Sequence, residues 1–124
     1  MISSIKDCTL LNNGLKMPWL GFGVLNISDG QDVEKAVRYA LEAGYRSIDT
    51  ATVYGNERGV GNAIRESGIP REDIFLTTKV WNDNQRKKRT LAAFEESLKR
   101  LETEYVDLYL VHWPVKRCYQ ETWQ

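Results

Sequence analysis

The chain has 124 residues, 42% of them hydrophobic and 27% charged, with 17 basic side chains cancelled by 17 acidic ones. That is an ordinary globular composition, in a chain long enough to bury roughly 65–70% of its unfolded surface. The neutral balance advertises neither nucleic acid nor an anionic membrane surface, and no apolar run approaches the ~20 residues of a spanning helix. The opening MISSIKDCTL lacks a signal-peptide pattern, so the cytoplasm is the expected compartment. Cys8 and Cys118 stand far apart without Cys/His spacing around them, which reads as two unpaired thiols and no metal site.

In chain order, the first pattern is a hairpin. Cys8–Leu11 and Leu15–Met17 flank Asn13-Gly14, a pair suited to the positive φ angles of a tight β-connection. Trp19–Val24 reads as a strand; Gly21 and Gly23 weaken it and suggest close approach of another backbone or a ligand. After Asp29-Gly30 a helix is expected, with Val33, Ala36, Val37, Ala40 and Leu41 on one face and Gly44 as its stop. Tyr45–Asp49 is the second strand. A second helix is expected from near Asn56 through Val60, Ala63 and Ile64 to Gly68, with Pro70 past its end.

Ile74–Val80 is the third strand. The stretch Gln85–Thr90, with Arg86, Lys87, Lys88 and Arg89 consecutive, reads as a solvated loop and helix start, although cations there oppose the helix dipole. Leu91, Phe94, Leu98 and Leu101 mark a third amphipathic helix. Val106–His112 is a fourth strand, apolar enough to be buried on both faces. Pro114 breaks it, and Tyr119–Gln124 opens another helix.

Strands alternating with helices at this cadence imply parallel βαβ units, and no linker or composition shift divides them. A doubly wound sheet and part of a (β/α)8 barrel both fit this order. The conspicuous polar residues lie at or just past successive strand ends: Asp49 and Tyr54 after the second, Lys79 after the third, His112 after the fourth. In either architecture those ends share one rim. Taken singly each has an ordinary explanation. Asp49 would cap a loop, Tyr54 would pack half-buried, Lys79 would snorkel and His112 would be a satisfied structural group. A carboxylate, a phenol, an amine and an imidazole on one rim can together move a proton. The glycines of Gly55–Gly61 do not form the GxGxxG of a dinucleotide-binding turn.

Gly44–Gly61, GYRSIDTATVYGNERGVG, resembles the first signature of the aldo-keto reductases, matching at Gly44, Arg46, Asp49, Ala51, Glu57 and Gly61. Further similarity runs through MPWLGFG at Met17–Gly23, TTKVW at Thr77–Trp81 and DLYLVHWP at Asp107–Pro114. The wording is most similar to the bacterial branch of diketogluconate, glyoxal and methylglyoxal reductases. The resemblance implies the N-terminal part of a (β/α)8 TIM barrel. Residues 1–124 would form a single partial barrel domain, with hairpin 1–17 closing the barrel bottom and 18–124 supplying the first strands and helices.

The resemblance also carries a catalytic tetrad onto Asp49, Tyr54, Lys79 and His112. It makes Trp81 and Trp113 walls of the substrate pocket, and places Val24, Leu25 and Asp49 at the cofactor. Many relatives have a large aromatic where this chain has Leu25. The implied activity is NADPH-dependent reduction of small aldehydes and ketones. Tyr54 would give the proton, with a cationic Lys79 beside it stabilising the phenolate. Asp49 would hold Lys79, and His112 would donate to the carbonyl oxygen.

A complete barrel takes about 250 residues, with 200 a practical lower limit. The expectation is therefore a truncated chain, the whole enzyme being a monomer. An isolated four-stranded piece would expose two sheet edges and much of its inward face, which invites self-association. The competing expectation is a half-barrel that keeps the fold without turnover.

Overall fold

The computed structural model describes residues 4–124. Its first reversal joins strands β1 (Cys8–Leu10) and β2 (Lys16–Pro18), which pair antiparallel with Thr9 opposite Met17. The connection differs from a two-residue Asn-Gly turn. Leu11 N–H donates to the Leu15 carbonyl, so Asn12, Asn13 and Gly14 form a three-residue loop, and in it only Gly14 has positive φ (86°). A type I turn followed by one left-handed residue makes that loop, and glycine takes the left-handed place without steric cost.

Four strands then build one parallel sheet in the order β3 (Phe22–Gly23), β4 (Ser47–Asp49), β5 (Phe75–Val80) and β6 (Leu108–Val111). The helices between them are α1 (Gln31–Glu42), α2 (Glu57–Glu66), the short α3 (Asn82–Arg86) and α4 (Thr90–Leu101), with α5 (Tyr119–Trp123) after β6. The first strand is shorter than Trp19–Val24. Trp19 and Leu20 are exposed, because β3 is an edge and pairs only with β4. The fourth strand is likewise not buried on both faces. All four of its residues are half-buried, since β6 is the other edge and finds a neighbour on one side only. The basic stretch also differs: it begins inside α3 rather than in a loop, and Lys88 adopts φ 54° in the link to α4.

The core lies between the sheet and the helices on one of its faces. Val33, Val37, Ala40 and Leu41 of α1, Val60, Ala63 and Ile64 of α2 and Leu101 of α4 close over Val24, Ile48 and Leu76. Their spacing is the three-four spacing read from the sequence, and it explains which stripe turns inward. Gly44, at φ 101°, ends the first helical segment as expected. Gly61 matters for another reason: a Cβ there would sit 2.1 Å from the Leu101 carbonyl oxygen, so only glycine lets α2 and α4 approach this closely.

Register decides what the opposite face carries. Asp49 lies beside Thr77, and Thr77 beside Leu108; one step further on, Lys79 lies beside Leu110. Side chains alternate along a strand, so Asp49, Lys79 and His112 share the face turned away from the helices, at successive heights toward the strand ends. No helix among the described residues is long and apolar enough to cross a membrane. Cys8 and Cys118 are free thiols.

Candidate active site

Past Asp49 the chain turns through Thr50 and Ala51 into a single 3-10 turn, Thr52–Tyr54, which Gly55 closes at φ 68°. This brings the Tyr54 ring back over the end of β5. Lys79 Nζ donates to Asp49 Oδ1 at 2.5 Å and to the Thr50 carbonyl at 2.9 Å, and lies 5.3 Å from the Tyr54 ring centroid. The ammonium is thus pinned between a carboxylate and a backbone dipole, with the phenol ring over it. His112 stands edge-on to Tyr54, 5.8 Å between centroids at 90°. Carboxylate, amine, phenol and imidazole therefore meet at one place on the rim, as their strand-end positions suggested.

Two tryptophans enclose the imidazole. Trp81 meets it edge-on at 5.2 Å and Trp113 stacks with it at 6.4 Å and 27°. The enclosure has an electrostatic effect. Burial pushes the His112 pKa below its ordinary value, and the Lys79 charge pushes the same way, against a smaller opposing pull from Asp49. The protonated ring is disfavoured. Its Nδ1 is enclosed with no hydrogen-bond partner among the described residues, which leaves Nε2 as the nitrogen able to reach a bound molecule.

Val24 and Leu25 separate. Val24 is fully buried in the core; its N–H donates to the Asp49 carbonyl and its own carbonyl accepts from Asn56. Only Leu25 of the pair offers apolar surface, being 60% exposed. The reason is the strand end: the chain tucks Val24 beneath Asp49 and then turns out at Asn26, whose φ is 62°.

Beneath the rim lies a layer of buried polar side chains that sequence reading did not place in the site. Thr50 donates to Asn56 Oδ1 at 2.8 Å, and Asn56 donates to the Val24 and Ile27 carbonyls. Glu57 is 1% exposed; it accepts from Thr78 at 2.6 Å and from Arg100 Nε at 2.6 Å. Thr52 donates to the Lys79 carbonyl, within reach of Ser97 at 3.3 Å. One signal for this layer was available. Glu57, Val60, Gly61 and Ile64 form one helical stripe, and a carboxylate on an apolar stripe demands a buried partner. Nothing local identifies that partner as Arg100, 43 residues away.

With this geometry in view, comparison with known proteins is direct. The sequence profile described as the Aldo/keto reductase family matches residues 19–124. Glyoxal reductase of Bacillus subtilis is 52% identical over 124 residues, all of this chain and 45% of that protein. Methylglyoxal reductase DkgA of Escherichia coli is 48% identical over 116 residues, 92% of this chain and 41% of that protein. Among solved structures, an aldo/keto reductase from Brucella melitensis superposes with TM-score 0.88 at 57% identity, covering 94% of this chain and 46% of that one. A Bombyx mori aldo-keto reductase in complex with NADP gives TM-score 0.87 at 38% identity, with 98% and 46% coverage. The chain thus spans less than half the length of these relatives and corresponds to the N-terminal part of their barrels. It belongs to the aldo/keto reductase family.

Proposed function

We propose that this polypeptide supplies the catalytic half of an NADPH-dependent carbonyl reductase acting on small aldehydes and ketones, with dicarbonyls of the glyoxal and methylglyoxal kind as the first substrates to try. The observation that carries the reading is the Asp49–Lys79 ion pair seated against the Tyr54 ring, with the His112 ring at right angles to it. The substrate class follows the names of the relatives. A cytoplasmic setting and a monomeric complete enzyme belong to the same proposal. So does the assignment of residues 1–124 to one partial barrel domain.

The residues present fit a nicotinamide. Leu25 offers an exposed apolar surface one residue past the backbone bond that joins Val24 to Asp49, and the tetrad opens on the same rim. Asp49 and Leu25 would hold the nicotinamide end, with Val24 supporting them from the core. When bound, the cofactor supplies the hydride. The chain's own groups handle charge and proton. His112 Nε2–H donates to the carbonyl oxygen and orients it, with Trp81 and Trp113 as walls. Tyr54 delivers the proton to that oxygen as negative charge grows there, and Lys79 stabilises the phenolate left behind. Asp49 keeps the ammonium in place.

Titration of the purified protein with NADPH, followed by nicotinamide fluorescence, tests cofactor binding; micromolar affinity would support a completed site, and no binding up to millimolar concentration would leave a fold without turnover. NADPH oxidation with methylglyoxal then tests the chemistry. In the intact enzyme, Tyr54→Phe is expected to lower kcat by about 10²–10⁴-fold while NADPH affinity is kept. Unchanged turnover removes Tyr54 from its role.

A further inference from the structure

Gln85 is a polar side chain with no part in the tetrad, yet it is only 2% exposed on the short helix that follows Trp81. Its Nε2 donates to the Trp113 carbonyl at 3.1 Å, across a separation of 28 residues. The same carbonyl also accepts the Val115 N–H at 2.8 Å. Its Oε1 has no hydrogen-bond partner among the described residues, so the buried amide is anchored through the bond that its Nε2 makes.

The location gives that bond a purpose. Trp81 caps α3 and meets His112 from one side; Trp113 directly follows His112 and stacks on it from the other. The Trp113 side chain is exposed and the segment after it turns at Pro114; just before it the His112 N–H donates to the Val80 carbonyl, just beyond it the Lys88–Glu121 ion pair holds the next helix, and between these two ties the Gln85 amide holds the Trp113 backbone itself. The link joins the loop after β5 to the loop after β6, the two segments that flank the imidazole.

We propose that Gln85 is a positioning residue that sets the spacing of the Trp81 and Trp113 walls about His112 and thereby governs how tightly the carbonyl substrate is held; this rests on the carbonyl-reductase reading above. The amide touches neither substrate nor cofactor. It acts through the Trp113 backbone, so its loss loosens a wall and leaves the proton donor where it is.

The test uses Gln85→Met, which keeps length and packing but removes the donor, beside Asp83→Asn, which perturbs the same helix at an exposed ion pair with Arg86. With the complete reductase and methylglyoxal, Q85M is expected to raise KM about five- to tenfold, the size of one lost hydrogen bond, with kcat within twofold and NADPH affinity unchanged. D83N should change neither. Hydrogen–deuterium exchange of residues 111–116, read by mass spectrometry without substrate, should rise several-fold in Q85M and leave residues 75–80 as in the parent. A KM within twofold of the parent, a loss confined to kcat, an equal effect in D83N, or unchanged exchange at 111–116 overturns the proposal. Should the parent itself fail to reduce any carbonyl while exchange responds to Q85M, the functional reading falls and the tether stands.

Discussion

Replacing Gly61 by alanine probes the contact that brings α2, and with it Glu57, against α4. The added Cβ would lie 2.1 Å from the Leu101 carbonyl oxygen, 2.6 Å from its carbon and 2.9 Å from its Cα, all backbone atoms that no rotamer change can move. Ordinary contact begins at 3.4 Å, so the two helices must part by roughly 1.3 Å along that line. Overpacking costs typically 1–3 kcal/mol, and a backbone-on-backbone clash belongs near the top of that range. Alanine regains about 1 kcal/mol of helix propensity over glycine. The net destabilisation is about 2 kcal/mol, which lowers a urea midpoint by about 1 M at a slope near 2 kcal/mol/M. Equilibrium unfolding followed by circular dichroism measures it, with Glu66→Ala on the exposed face of α2 as a control expected within ~0.5 kcal/mol of the parent. A G61A midpoint at or above the parent's would refute the packing argument, since propensity alone would then be acting.

Other outcomes follow from the layer beneath the rim. Arg100→Leu leaves the buried Glu57 carboxylate with only Thr78, whereas Glu57→Gln leaves an Arg100 that is 34% exposed and can turn to water. Arg100→Leu should therefore destabilise by about 3 kcal/mol and Glu57→Gln by clearly less; denaturation midpoints in the reverse order would contradict this ranking. Asp29 Oδ1 accepts from the Gly59 N–H and caps α2 from a distance, so Asp29→Ala should cost about 1 kcal/mol, with a loss under a quarter of that telling against the cap. His112 is the single histidine of the chain, so its ring signals in an NMR titration are unambiguous. The midpoint should lie below the free value near 6.5. A depressed folded-state value means the unfolded chain binds the proton more readily, so His112's contribution to stability is present above the free value and is lost as pH falls through it toward the folded-state value. A midpoint at or above 6.5 would show that the enclosure by Trp81 and Trp113 does not act on the ring.

Much of this molecule can be read along the chain, and the reasons are local. The helical stripes of α1, α2 and α4, the glycine stop at Gly44 and the strand-end positions of Asp49, Lys79 and His112 all follow from spacing, because a residue's face is set by the period of its own element. The motif around Gly44–Gly61 pointed to the family because its residues are neighbours in the chain, although only Asp49 and Tyr54 of it join the tetrad, while Arg46 donates to the Leu41 and Tyr45 carbonyls and Gly61 packs on Leu101. What the sequence left open depends on contacts between distant segments. Trp19–Val24 shortens to two paired residues and β6 stays half-buried because strand partners, which no local pattern specifies, determine burial at an edge. Val24 is core and Leu25 surface because the chain turns out at Asn26, just past a Val24 whose carbonyl accepts from Asn56, 32 residues further on. The Glu57–Arg100 pair, the Gln85–Trp113 link and the lowered pKa of His112 likewise arise only once separate strand ends are brought together. Charges and donors act over a few ångströms of space, whatever their separation in sequence, and only the fold supplies those distances.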